Sequence, residues 1–226
     1  MTREEVLEKV SKKREEFISW YHEFHQIPEL GFEEKETTEL ICEKLTGMGI
    51  HPLRLDPTGV TAYIGPHDAY TVGLRADIDG LRVLEDTDLP FQSKHPGKMH
   101  ACGHDGHATI GLGVAKVLMS IKDQLHGTVK LIFQPAEEHM GAGELVDCNF
   151  TQVAKPDAFI GLHVSPEIDA GSIGLKKGPA NASNDFFNIK IKGKGGHGAH
   201  PENCIDPVVI SGYVITQLQT VIAEKQ

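Results

Sequence analysis

Metal-binding residue types are concentrated in one short segment of the chain. The sequence GKMHACGHDGHATIG, residues 97–111, places His100, Cys102, His104, Asp105 and His107 within eight positions. A thiolate and an imidazole two residues apart can bind one ion from a loop, and thiolate favours zinc among the ions that accept these donors. One loop does not complete a metal site, so further ligands must come from other parts of the chain.

Three apolar segments end in groups that can bind metal or transfer protons. YTVGLRADID ends in Asp77 and Asp79, VKLIFQPAEEH contains Glu137 and Glu138, and AFIGLHV carries His163. Ligands bind at the C-terminal ends of strands in α/β sheets, so we expect these segments and the Cys/His loop to converge. In such a site one of the paired glutamates can bind metal while its neighbour stays free as a base.

Each of these features also has a structural explanation. A single histidine in an apolar strand is usually a core residue, paired glutamates are usually solvated, and glycine-rich segments often form turns. The glycine-rich segment GKGGHGAHP lacks the Lys-Ser/Thr of a phosphate loop, which excludes nucleotide binding there. Their combined occurrence nevertheless favours a metal site. The remaining histidines are interpreted as surface or loop residues: His22, His25, His51, His67, His95, His126 and His139.

The composition of the chain indicates which binding partners are excluded and in which compartment the protein is located. The 226 residues carry a net charge of −10 and are 39% hydrophobic, which argues against nucleic acid and anionic membranes as partners. The N-terminus has no apolar signal region, and no run approaches the ~18 apolar residues of a membrane span. The four cysteines have no close pair, which favours free thiols or ligands in a reducing compartment. We therefore predict a cytoplasmic protein.

Local patterns predict an α/β fold. Thr2 and Glu5 have capping-box spacing at the start of one amphipathic helix that extends to about Phe24, and a second helix is predicted from about Glu34 to Leu45. Another helix is expected to begin near His107, and GAGELVDC is predicted as a short helix. Predicted strands are GVTAYIG, YTVGLRAD, GTVKLIFQ and DAFIGLHV, the last of the kind buried on both faces. Alternating strands and helices indicate an α/β sandwich.

The pattern changes near residue 182. NDFFNIKIKGKGGHGAHP alternates like a half-exposed strand, and an amphipathic helix is predicted near Asp206 with Pro207 in its first turn. A strand and a helix alone cannot bury both of their apolar faces. We therefore predict a catalytic domain over residues 1–181 and the beginning of a smaller second domain over residues 182–226.

The motifs LRADIDGL, KMHACGHDGH, FQPAEE, GLHV and GKGGHGAHP occur in this order and cover nearly the whole chain. Together they resemble the amidohydrolase branch of the aminoacylase and carboxypeptidase-G type metallopeptidases. The resemblance implies an α/β catalytic domain with a mixed sheet flanked by helices, followed by the start of a smaller α+β lid domain. It also implies hydrolysis of the amide bond of N-acyl amino acids by a metal-activated water, and a homodimer formed through the lid.

The resemblance assigns roles to individual residues. Two divalent ions per full-length site, Zn, Mn, Ni or Co, would be held by the four implied ligands Cys102, His104, Glu138 and His163. Glu137 would be the general base. Asp77 would orient a ligand from behind, and His197 of the lid would reach the substrate carbonyl.

The chain departs from the family pattern at several points. Arg82 stands where proline is usual, and Glu202 stands where histidine is frequent, which affects the expected acyl group and lid contacts. Relatives are longer and supply a further histidine ligand, so we expect this chain to be the N-terminal portion of such an enzyme. One alternative is a truncated, non-catalytic relative that acts by association. A cysteine hydrolase using Cys102 and His104 is disfavoured because a nucleophile and its base are awkwardly placed two residues apart.

Overall fold

The computed structural model describes residues 2–66, 70–139, 156–179 and 187–223. The chain forms two compact units, residues 1–169 and residues 170–226. The domain boundary predicted between residues 181 and 182 and the predicted helix GAGELVDC lie outside the described residues, so both stay predictions.

Among its described residues the first unit has four α-helices: α1 Arg3–Ser11, α2 Arg14–His25, α3 Lys35–Gly47 and α4 His104–Met119. The capping box at α1 is confirmed, because Glu5 N–H donates to Thr2 Oγ1 at 3.2 Å and Thr2 N–H donates to Glu5 Oε2 at 2.7 Å. The prediction of one long first helix is wrong. A turn at Lys12 and Lys13 separates α1 from α2.

Helix α4 begins at His104, three residues before the predicted start near His107. Gly103 precedes it with φ of 84°, a left-handed conformation that favours glycine. The sharp turn at Gly103 places His104 in the first turn of the helix, beside the Cys102 loop.

The first unit contains a five-stranded mixed sheet in the order β1-β2-β4-β3-β5. Its strands are β1 Leu53–Arg54, β2 Val60–Ile64, β3 Thr71–Asp77, β4 Thr128–Gln134 and β5 Ala158–Gly161. Strand β3 pairs parallel with β4 and β5, whereas β2 pairs antiparallel with β1 and β4. The predicted mixed sheet with flanking helices is confirmed.

The hydrophobic core lies between one face of this sheet and helices α2, α3 and α4. Its fully buried members come from all of these elements: Phe24, Ile41, Leu45, Val60, Ala62 and Leu112. Burial of each large apolar side chain stabilises the fold by roughly 1.5–3 kcal/mol. The core therefore fixes α4, and with it His104, against the strand ends.

Strand β5 is less buried than its apolar sequence predicts. Phe159 and Ile160 are 53% and 54% exposed. Within the described residues β5 pairs only with β3 and is the last strand of the sheet, so the predicted burial on both faces is not observed there.

The second unit contains helix α5, Pro207–Ala223. Asp206 Oδ1 accepts a hydrogen bond from Val208 N–H at 2.8 Å, which caps the helix at its predicted start. The strand predicted in NDFFNIKIKGKGGHGAHP is not formed in its described part, residues 187–201. Only an isolated bridge between Lys194 and Ile205 pairs this segment there, and a strand needs a longer partner to satisfy its backbone.

No helix among the described residues is both long enough and apolar enough to cross a membrane.

Candidate metal centre

The candidate centre lies at the C-terminal ends of β3, β4 and β5. Asp77 is the last residue of β3, and Glu137 and Glu138 form the 3₁₀ turn Glu137–His139 just after β4. His163 follows β5 by two residues, and α4 begins beside these segments at His104. Because the three strands run parallel, their ends meet at one edge of the sheet.

One candidate ligand group consists of Cys102, His104 and His163, each with a ligand atom within 4.8 Å of the others. Cys102 Sγ lies 3.5 Å from His163 Nε2. His163 Nδ1–H donates to the carbonyl of Val164 at 2.6 Å, a bond that leaves Nε2 unprotonated and facing the thiol.

His104 is fully buried and is oriented by Asp79. Its Nδ1–H donates to Asp79 Oδ1 at 3.1 Å, whereas its Nε2 has no hydrogen-bond partner among the described residues. Asp79 Oδ2 accepts a second bond from Glu138 N–H at 2.9 Å. Burial alone lowers the pKa of His104, but the Asp79 bond and the nearby carboxylate charges outweigh it and raise that pKa.

His104 also belongs to a second group, with Glu137 and Glu138. His104 Nε2 lies 3.9 Å from Glu138 Oε1, and both glutamates face solvent. The shared histidine therefore joins a thiol and imidazole pair on one side to a pair of carboxylates on the other.

A buried glutamate fixes the turn that carries the carboxylate pair. Glu34 Oε1 accepts from Ala136 N–H at 2.7 Å, and Glu34 Oε2 accepts from Thr58 Oγ1–H at 2.6 Å. Ala136 has a left-handed φ of 55°, which costs energy for a residue with a Cβ. Burial raises the pKa of Glu34 to about 7. No local pattern in the sequence indicates this role of Glu34, because Ala136 is 102 positions away along the chain.

Asp77 contacts His107 more closely than His104. His107 Nδ1–H donates a hydrogen bond to Asp77 Oδ1. The other oxygen, Asp77 Oδ2, lies 2.6 Å from Arg75 Nη1 and 3.6 Å from His104 Nε2. Burial raises the pKa of Asp77, but the His107 bond and the neighbouring cationic groups outweigh it and lower that pKa. His107 Nε2 accepts from Val164 N–H at 2.8 Å, so both of its nitrogens are engaged within the protein. Asp77, His104 and His107 form a third group by distance.

The interpretation of His25 as a surface or loop residue is wrong. His25 is buried, with Nδ1 2.6 Å from Asp105 Oδ2 and Nε2 3.1 Å from Glu85 Oε1. The Asp105 bond raises the pKa of His25 and outweighs its burial. Its position one helical turn after Tyr21, on the apolar stripe of α2, was the available signal.

The other histidine of the opening motif, His100, is buried and belongs to none of the candidate ligand groups of the described residues. Neither ring nitrogen has a hydrogen-bond partner there, and burial lowers the pKa of His100 to about 4. His100 is therefore neutral at pH 7.

The donor set fits a divalent metal ion. The unpartnered nitrogen of buried His104 would gain a ligand bond, and thiol, imidazole and carboxylate donors together suit zinc and its neighbours. Burial and the carboxylates of Glu138 and Glu137 raise the pKa of Cys102 to about 12. A nearby cation would offset both effects.

His197 belongs to the second unit and is described there alone. It is exposed, and its Nδ1 accepts a hydrogen bond from Ala199 N–H at 3.1 Å. Its ring centroid lies 6.0 Å from that of His200. These contacts leave Nε2 of His197 available to a ligand.

The chain is similar to known enzymes over most of its length. Over 217 residues the chain is 45% identical to N-acetyl-L-cysteine deacetylase of Bacillus subtilis, a match that covers 95% of this chain and 52% of the relative. It is 39% identical over 227 residues to N-acyl-L-amino acid amidohydrolase of Geobacillus stearothermophilus, covering 99% and 61%. The chain thus spans about half to three fifths of the length of these relatives.

A solved structure matches as well. The dinuclear metal-binding M20 peptidase of Bacillus subtilis is 39% identical, with a TM-score of 0.69 over 75% of this chain and 48% of the other. The model of Peptidase family M20/M25/M40 matches residues 73–224. The chain belongs to this metallopeptidase family, and the relatives place it in the amidohydrolase branch.

Proposed function

We propose that the whole protein hydrolyses the amide bond of N-acyl amino acids with the help of divalent metal ions. The observation that carries this proposal is the position of His104, shared between the Cys102 and His163 group and the group of adjacent glutamates. The relatives support it, because their names specify N-acyl-L-amino acids and N-acetyl-L-cysteine as substrates. Such substrates carry an amide bond and a free carboxylate.

The proposed metal ligands are Cys102, His104, Glu138 and His163. Two ions per full-length site, Zn, Mn, Ni or Co, suit these donors. When bound, they would lower the pKa of a water molecule and polarise the amide carbonyl.

Glu137 is the proposed general base, because it is adjacent to Glu138 and its carboxylate faces solvent. It would accept the proton of the attacking water and then pass a proton to the leaving amine. Asp77 is proposed to support the ligand His104, whose Nε2 lies 3.6 Å from Asp77 Oδ2, and it also accepts a hydrogen bond from His107 Nδ1–H. His197 would donate a hydrogen bond to the oxyanion.

The alternative as a cysteine hydrolase is not favoured by the geometry. A cysteine nucleophile needs a lowered thiol pKa, whereas burial raises the pKa of Cys102 to about 12. The Cys102 thiol faces His163 and Glu138, which suits a metal ligand.

We further propose a homodimer formed through residues 182–226. Helix α5 supports this, because several large apolar side chains are exposed there in the described part of its unit: Val208, Val209, Tyr213, Ile215 and Val221.

The proposed location is the cytoplasm. The free thiols of Cys42, Cys102 and Cys204 agree with a reducing compartment of this kind.

The test is an assay of the whole protein with N-acetyl and N-benzoyl amino acids after metal removal and after addition of each candidate ion. We expect no turnover without metal and restored turnover with at least one ion. Turnover that survives complete metal removal would overturn the proposal. Metal binding without turnover under every ion would favour the non-catalytic relative.

A further inference from the structure

A cavity with charged residues in its wall opens beside Glu138. It has a volume of about 290 Å³, and its walls include Leu30, Glu33, Leu81, Arg82, Glu138 and His139. This volume lies at the lower end for small-molecule sites, large enough for one end of a substrate. We call it the Arg82 cavity.

Arg82 is the uncompensated cation of this cavity. Across the described ranges its guanidinium makes no hydrogen bond and no ion pair, whereas the Glu33 carboxylate lies 3.3 Å from Lys98 Nζ. Glu138, the other acid in the wall, is a proposed metal ligand, so its charge would be offset by the ion. The cavity therefore favours an anion.

The backbone around Arg82 is held in place on both sides. Leu81 and Met99 exchange two backbone hydrogen bonds at 2.9 and 3.1 Å, and Gly80 N–H donates to Glu29 O at 2.6 Å. On the opposite wall a Cβ added at Gly31 would lie 2.9 Å from Ala136 Cα, so these two loops are in close contact. A cavity held in this way is largely formed before a ligand binds, which lowers the cost of ordering.

We propose that the Arg82 cavity binds a carboxylate of the substrate, with the guanidinium as its partner. This inference rests on the proposed function, because the reacting amide must lie close to Glu137 and Glu138. Arginine matches a carboxylate with two parallel hydrogen bonds, a geometry that lysine cannot reproduce. The carboxylate could be the α-carboxylate of the amino acid or one on the acyl group.

The test compares Arg82→Gln and Arg82→Lys with wild type on three substrates. These are an N-acetyl amino acid, the same compound with its α-carboxylate capped as an amide, and that amide with a succinyl group in place of acetyl. We expect Arg82→Gln to raise KM about 10–100-fold for the carboxylate substrate that uses the cavity, with kcat little changed. Arg82→Lys should lie in between, and the neutral substrate should be unaffected.

Lys94→Gln is the matched control, because Lys94 is an exposed cation of the same loop that does not line the cavity. A KM effect confined to the free α-carboxylate assigns the cavity to the amino-acid end, and one confined to the succinyl substrate assigns it to the acyl end. Unchanged KM values in Arg82→Gln, or equal increases for neutral and anionic substrates, would overturn the inference and leave the proposed function standing. Failure of the wild type on all three substrates would instead contradict the proposed function.

The same interaction has a readout that does not need turnover. Binding of the N-acetyl amino acid to metal-loaded protein in which Glu137→Gln blocks turnover, measured by calorimetry, should weaken when Arg82→Gln is added and stay unchanged when Lys94→Gln is added. Equal weakening in both variants would show a general charge effect and contradict a specific site.

Discussion

The Asp79 carboxylate contacts two of the proposed metal ligands at once. It accepts from His104 Nδ1–H at 3.1 Å and from Glu138 N–H at 2.9 Å. Such a partner fixes the tautomer and the orientation of a histidine before the ion binds. Asp79 rather than Asp77 makes the hydrogen bond to His104 Nδ1.

Replacing Asp79 should therefore weaken metal binding without removing a ligand. We expect Asp79→Asn to lower the affinity for the divalent ion about 10–100-fold, as measured by competition with a chelator. Asp123→Asn, a carboxylate in the 3₁₀ turn Lys122–Gln124, is the control and should bind as wild type does. Wild-type affinity in Asp79→Asn would show that His104 needs no such support.

The buried Glu34 should make stability depend on pH. Burial raises its pKa from 4.5 to about 7, so between these values the folded state holds a proton that the unfolded state has lost. The contribution of Glu34 to the free energy of unfolding should therefore fall as pH rises from about 4.5 to 7, by about 3 kcal/mol.

Denaturation of wild type and Glu34→Gln at several pH values isolates this contribution, because glutamine does not titrate. The stability of wild type relative to the variant should decrease as pH rises through this window. Glu43→Gln, at an exposed position on α3, is the matched control. A stability difference between wild type and Glu34→Gln that stays constant from pH 4.5 to 7.5 would contradict the buried, protonated Glu34.

Residue types and spacing predicted the donors that the structure brings together, namely Cys102, His104, His163 and the adjacent glutamates. The supporting contacts could not be predicted in this way. Asp105 and His25 are 80 positions apart, and Glu34 and Ala136 are 102 positions apart. No local period or motif encodes such pairs, because only the folded chain brings them together.

At the scale of elements, periodicity located most helices and strands but not their ends. The helix break at Lys12 and Lys13 was missed because the apolar stripe continues from α1 into α2. The prediction of a strand before His197 was wrong in its described part. An alternating sequence forms a strand only where a partner strand pairs with it, and here only one isolated bridge does so.

Helix α4 joins the core to the candidate centre, so its packing should dominate stability. Leu112 is fully buried, whereas Ile110 on the same helix is 43% exposed. We expect Leu112→Ala to lower the free energy of unfolding by ~2–5 kcal/mol and Ile110→Ala by less than about 1 kcal/mol, measured with denaturant. Similar losses in both variants would contradict the packing described for α4.

At the scale of the whole molecule, the strand order determines where the site forms. The parallel pairs of β3 with β4 and β5 bring three strand ends to one edge, and α4 starts at that edge. Chemistry at this edge belongs to the first unit, while the second unit carries His197 and the exposed apolar side chains of α5. We propose that this edge binds metal through Glu138 and moves protons through Glu137.

The most direct test measures metal content and turnover together in Glu137→Gln and Glu138→Gln of the whole protein. The two changes are adjacent and chemically identical, so each is the control for the other. We predict that Glu137→Gln keeps its metal and loses turnover by ~100-fold or more, because a proton acceptor is removed while the ligands remain. Glu138→Gln should lose metal. Equal metal loss in both variants, or full turnover in Glu137→Gln, would contradict the assignment of base and ligand.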